Sequence, residues 1–256
     1  MMEHLSFETL SFPEKGLNFT YGIFPPENEL PRGIVLLIGE PLKKASDYSE
    51  ELLFYKRAGF IGSVISITNN VFTADDQIIG CRALVDKIRH TYKFLPIIIY
   101  GESLSSISAR QLVMLDSERI AGIVISSPRL QIPSSFDILK AKFICFFKGK
   151  EFVSPVLGDY NIPLSSVISY ISQAKELDGA DIIEKYPKYM PTLIINADND
   201  SLFDALDDAY VSELEKAQYN TENEKQEAIA SFSEKVVEGV QEALSSSSFI
   251  YRGDNT

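Results

Sequence analysis

The residues best placed for chemistry are Gly101-Glu102-Ser103-Leu104-Ser105. An apolar run, Pro96-Ile97-Ile98-Ile99-Tyr100, leads into them, and Leu104, Ile107, Leu112 and Leu115 follow at helical spacing. A serine on a sharp strand-to-helix turn has its hydroxyl held clear of the backbone, and the helix N-terminus offers N–H groups to an oxyanion. Small residues two before and two after the serine relieve crowding. Gly101 meets that need, and Ser105 replaces the usual glycine with the next smallest polar residue. The chemistry this suits is acyl transfer through the serine oxygen. The plainer alternative is that Ser103 only caps a helix. Asn196-Ala197-Asp198-Asn199-Asp200 follows another apolar run and carries two carboxylates, although its turn formers could equally make a simple turn and cap. A serine hydroxyl is a weak nucleophile until a base takes its proton. The chain has only two histidines, His4 and His90.

These residues need a scaffold, and its pattern is regular up to residue 128. Gly33–Gly39 is a continuous apolar run between glycines, as in a strand buried on both faces. A helix is expected from Ser46, with Tyr48, Leu52 and Tyr55 on one face and Gly59 as its stop. Val64–Ile67 is the next strand, and Thr73 caps a helix whose apolar stripe is Ile78, Cys81, Val85, Ile88 and Tyr92. Ala121–Ser127 is a strand closed by Pro128. The first thirty residues read as a polar hairpin. Strand and helix alternate, which predicts an α/β architecture with a doubly wound, mostly parallel sheet.

From Arg129 to Tyr189 prolines break the rhythm, and Phe143, Phe146, Phe147 and Phe152 cluster in a segment expected to lie over the sheet's carboxyl edge. The strand pattern returns at Pro191–Asn196. Helical stretches are expected near Asp204–Gln218 and Glu224–Leu244, then a short strand at Phe249-Ile250-Tyr251.

Composition narrows the function classes. The chain has 256 residues and a net charge of −12, which disfavours nucleic acid. Residues 204–256 hold 12 acidic against 4 basic residues, which reads as a solvated helical face. Cys81 and Cys145 are too few for a disulfide framework. No His/Cys/carboxylate cluster has ligand spacing, so no metal is expected. No Gly-rich fingerprint follows the first parallel strand, so no nicotinamide or flavin cofactor is expected. No apolar run is long enough to span a bilayer, no signal peptide is evident, and a cytoplasmic protein is expected.

The sequence resembles the α/β-hydrolase superfamily, in particular its monoacylglycerol lipase, lysophospholipase and serine-aminopeptidase-like branch. Gly33–Gly39, Tyr48–Phe60, Pro96–Arg110, Ser117–Pro128 and Pro191–Asp200 carry the resemblance. It implies an α/β-hydrolase fold in a single domain, with core 1–128 and 190–256 and a cap-like insertion at 129–189. It also implies a serine esterase or lysophospholipase-like hydrolase acting on a small-molecule ester, thioester or amide through an acyl-enzyme on Ser103. Asp200 takes the acid position, with Asp198 as its competitor. The backbone N–H groups of Leu104 and Glu40 take the oxyanion positions. A homo-oligomer is compatible with this reading.

The pattern departs from that branch at several places. Ile38 stands where the branch has the histidine of its oxyanion loop, Glu40 brings a carboxylate beside the oxyanion position, and Ser66–Asn70 replaces an Asp-x-Arg-Gly-x-Gly loop. In the family the base histidine follows the final strand, three residues after a glycine. Phe249–Thr256 resembles that strand and turn, so Thr256 falls near the base position and the histidine is expected just past residue 256. His90 is expected on the surface at the wrong end of the sheet, and His4 at its opposite edge. The alternative is a catalytically inactive hydrolase-fold protein that binds an acyl ligand or a protein partner.

Overall fold

The computed structural model describes residues 5–27, 29–126, 134–157, 161–177, 190–195 and 214–250. Its strands are β1 (Glu8–Phe12), β2 (Leu17–Phe24), β3 (Ile34–Ile38), β4 (Ile61–Ile67), β5 (Ile97–Glu102), β6 (Gly122–Ser126), β7 (Thr192–Ile195) and β8 (Leu214–Ala217). Its α-helices are α1 (Ser49–Arg57), α2 (Ala74–Thr91), α3 (Ser105–Asp116), α4 (Ser135–Lys148), α5 (Leu164–Leu177) and α6 (Glu222–Ile250). The strands form one eight-stranded sheet in the order β1-β2-β4-β3-β5-β6-β7-β8. The β1–β2 and β2–β4 pairs are antiparallel and every other pair is parallel.

The continuous apolar runs have a direct cause. Along β3 and β5, Ile34, Leu36, Ile38, Ile97 and Ile99 face one core, with Cys81, Leu84, Val85 and Ile88 of α2, Ile107 and Leu112 of α3, and Val167 and Tyr170 of α5. Val35, Leu37, Ile98 and Tyr100 face the other, with Leu52 and Tyr55 of α1 and Ile229, Phe232 and Val236 of α6. A strand covered on both faces has no polar side, and each fully buried aliphatic side chain adds about 1.5–3 kcal/mol of transfer free energy.

Local signals hold where they were strong. Thr73 and Asp76 form a capping box at the start of α2, and Gly59 ends the α1 turn at φ +81°. The N-terminal hairpin forms with Phe12 opposite Leu17. Asn69 accepts from Asn18 N–H and donates to the Gly16 carbonyl, clamping the end of β4 onto that hairpin.

The C-terminal expectation needs correction. Among the described residues the strand that follows β7 is Leu214–Ala217, which pairs with it, and 249–250 is not a strand. Phe249 and Ile250 end the 29-residue helix α6, and Tyr251 lies outside the described residues. The expected helix at Asp204–Gln218 is corrected over 214–217, while 204–213 lies outside the described residues. The expected helical stretch at Glu224–Leu244 lies within α6. It covers the sheet with Ile229, Phe232, Val236 and Val237.

Candidate active site

β5 delivers Gly101 and Glu102, and the chain turns at Ser103 into α3. Ser103 has φ +52°, in the left-handed region that non-glycine residues avoid. Strain of that kind persists only when the surroundings fix it. Here Ser103 N–H donates to the Ser126 carbonyl at 3.0 Å, and the Ser103 carbonyl accepts from the Ser106 hydroxyl at 2.6 Å. The buried Ser105 hydroxyl donates to the Glu102 carbonyl at 2.7 Å, which closes the turn. Gly101 is required by contact: a Cβ there would lie 2.6 Å from the Ser105 carbonyl oxygen and 2.8 Å from Ala109 Cβ. Among the described residues nothing accepts from Leu104 N–H. α3 starts from Leu104 without a side-chain cap, so Ser103 sits on a strained strand-to-helix turn and does not cap the helix.

β3 lies beside β5, with Ile38 opposite Gly101, so the chain leaving β3 at Gly39-Glu40 and the elbow meet at one sheet edge. Gln77, buried on α2, donates to the Gly39 carbonyl at 2.8 Å, and its own oxygen accepts from Ser108 and Tyr170 at 2.6 and 2.8 Å. The loop is therefore fixed by a satisfied interior network. Glu40 N–H donates to the Tyr48 hydroxyl at 2.7 Å, so this N–H is already engaged. Burial pushes the Tyr48 phenol well above its ordinary range and keeps it neutral. The Glu40 carboxylate pairs with Lys43 at 2.8 Å. Ile38 is buried in the core, so the residue replacing the family's loop histidine serves packing.

Under the elbow lies a charged cluster that no sequence pattern announced. Lys225 of α6, with its side chain 7% exposed, pairs with Glu102 at 3.2 Å and Glu222 at 2.9 Å. Glu51 of α1 is buried and accepts from the Tyr55 hydroxyl at 3.1 Å. Burial pushes the Glu51 carboxyl up to about 7, and the attraction of Lys225 offsets only part of that. An acid raised in the folded state binds extra protons there between its unfolded value, near 4.5, and about 7. Its contribution to stability is then complete below pH 4.5 and is lost as pH rises toward 7, by up to about 3 kcal/mol. Glu51→Gln, neutral throughout, is expected to remove that slope and to be the more stable protein at pH 8. Denaturant midpoints of both proteins between pH 5 and pH 8 check this; parallel profiles would refute it.

Asp198, Asp200, His4 and Thr256 lie outside the described residues. His90 is exposed on the last turn of α2, beside the start of β5 and therefore at the opposite sheet edge from Ser103. The loop after β8 is Gln218-Tyr219-Asn220-Thr221 and contains no histidine. Thr221 and Glu224 spend themselves capping α6. Among the described residues no group of His, Cys, Asp and Glu could hold a metal ion, and no helix is long and apolar enough to cross a membrane.

No protein-family model matches the chain, and no curated protein matches it in sequence. Solved structures do match its fold. A thermostable carboxyl esterase from Bacillus coagulans, solved with glycerol, superposes with a TM-score of 0.74 at 14% identity, covering 92% of this chain and 100% of that one. A soluble variant of the Saccharomyces cerevisiae monoglyceride lipase, bound to a substrate analogue, gives 0.69 at 12% identity over 92% and 96%. The monoacylglycerol lipase of Paleococcus ferrophilus gives 0.63 at 15% identity over 86% and 98%. The chain has the α/β-hydrolase fold.

Proposed function

We propose that this α/β-hydrolase-fold protein takes the acyl group of a small carboxylic ester, thioester or amide onto Ser103, and that no imidazole among the described residues serves it as base. The observation that carries the first half is the left-handed backbone of Ser103 at a turn buttressed on every side. Leu104 N–H is one oxyanion donor, and Glu40 N–H becomes the second once the Tyr48 phenol releases it. The acid position falls to Asp200, with Asp198 two residues away in sequence. The histidine-free loop after β8 supports the second half. In the acylation step Ser103 Oγ bonds to the acyl carbon, the bond from that carbon to the leaving oxygen, sulfur or nitrogen breaks, and water takes the serine proton and returns one to the leaving group. Residual catalysis by oxyanion donors and binding alone is about 10³–10⁴ over water, far below a complete triad.

The second reading is a protein that binds an acyl ligand or a protein partner and forms no covalent bond. The engagement of Glu40 N–H by Tyr48 favours it, because it leaves one oxyanion donor unavailable. A fluorophosphonate probe separates the two. Slow labelling at Ser103, lost in Ser103→Ala and accelerated by added imidazole, is expected if the serine is an unassisted nucleophile. A protein that stays unlabelled with or without imidazole is only a binder.

A further inference from the structure

The Phe-rich helix α4 does not pack its rings inward. Phe136, Leu139, Phe143, Phe146 and Phe147 are between 65% and 82% exposed. At 100° per residue they form one stripe along the helix, opposite the face that buries Ala141 and packs Ile138, Ile144 and Cys145 on the core. Phe147 touches both neighbours, with ring centroids 4.7 Å from Phe143 and 5.2 Å from Phe146, so the patch is continuous. Phe152 and Val153 extend exposed apolar surface past the helix end. No described residue covers the stripe.

Charge says what kind of surface it fits. The chain carries a net charge of −12, yet between Ser135 and Lys150 there are four lysines and one acid. The same helical arithmetic puts Lys140 and Lys142 on the two shoulders of the stripe. All four lysines are exposed, and none pairs with a described carboxylate. An apolar face bordered by lysines, on an otherwise acidic molecule, suits an apolar layer bordered by negative charge. We infer that α4 docks on an anionic lipid surface. It lies in the interfacial plane with its phenylalanines among the acyl chains and Lys140 and Lys142 against the headgroups. With 14 residues, α4 spans about 21 Å, enough for an interfacial helix and too short to cross a bilayer. It follows the carboxyl end of β6, the sheet edge that carries Ser103.

Co-sedimentation of the full chain with vesicles tests this without any need for Ser103 to react. Binding is expected to vesicles of equal parts phosphatidylcholine and phosphatidylglycerol, with at least about tenfold weaker partition onto phosphatidylcholine alone and in high salt. Phe146→Ser/Phe147→Ser and, separately, Lys140→Glu/Lys142→Glu are each expected to weaken it about tenfold or more. Every substituted side chain is exposed, and unchanged circular dichroism would show that the fold is kept. No binding to either vesicle, equal binding to both, or full binding by both variants would overturn the assignment. So would a stable dimer that the phenylalanine variant dissolves and that ignores vesicles, which would give the face to a second copy of the chain.

Discussion

Gly101→Val is expected to leave little folded protein. The first atom added at this position would stand 2.6 Å from the Ser105 carbonyl oxygen and 2.8 Å from Ala109 Cβ, closer than real contacts allow. Neither neighbour is the loose end of a flexible chain: one is the backbone of the first residue of α3, the other lies on that helix's buried face. Relief requires α3 to move away from β5, and the packing between Ala109, Leu112 and the sheet goes with it. Overpacking of a well-filled core costs about 1–3 kcal/mol. Displacing a helix that also closes the elbow puts Gly101→Val at or above the top of that range. Gly239→Ala is the matched control. Nothing lies within 4 Å of an added Cβ there, and Gly239 sits inside α6. Propensity alone predicts a gain of up to about 1 kcal/mol. Urea unfolding of the two variants should therefore move in opposite directions. Equal stability of Gly101→Val and the parent would mean that α3 does not press on the elbow.

Lys225→Met should cost on the order of 1–2 kcal/mol, less than for a fully buried pair because Glu102 and Glu222 keep contact with solvent. The lysine is the cation shared by Glu102, Glu222 and the buried Glu51, and its removal strands negative charge beneath the elbow. Glu51 supplies the signature. Lys225 attracts its charged form, so without it the Glu51 carboxyl titrates still higher than about 7. The loss should accordingly be larger at pH 8 than at pH 5, where Glu51 is protonated. A pH-independent loss would indicate a packing role alone.

The elbow was readable because all its causes are local. The apolar strand, the glycine, the serine and the helix that follows occupy about twenty consecutive residues, and the turn between them has few solutions. The end of the chain misled for an equally physical reason. Leu214-Glu215-Lys216-Ala217 is built from good helix formers and is too short and charged to look like a strand. It becomes one because β7 offers a free edge to pair with, and its charges suit an outer strand. Phe249-Ile250 looks like a strand in isolation and is helix because α6 runs on from residue 222.

The residues that hold the site were hidden because their partners are distant in sequence. Tyr48 and Tyr55 read as members of an apolar stripe, which they are. Nothing local says that one hydroxyl meets Glu40 N–H and the other Glu51. Gln77 sits one residue before a predicted apolar position, and a buried glutamine beside such a stripe is a signal of interior hydrogen bonding that pattern reading passes over. Lys225 looked like one more charge on a solvated helix until α6 was placed against β5. The phenylalanines of α4 were expected over the sheet, because apolar clusters usually are, and they face outward.

The central claim is that Ser103 is a positioned nucleophile that lacks its base. It is tested most directly by intact-mass measurement after exposure to a fluorophosphonate, with and without imidazole in the buffer. A single adduct on Ser103 that forms slowly alone, forms faster with imidazole and vanishes in Ser103→Ala is the predicted result. Rapid labelling that imidazole does not change would mean that a base already reaches Ser103, and no adduct under either condition would mean that Ser103 is not a nucleophile; either would contradict the account.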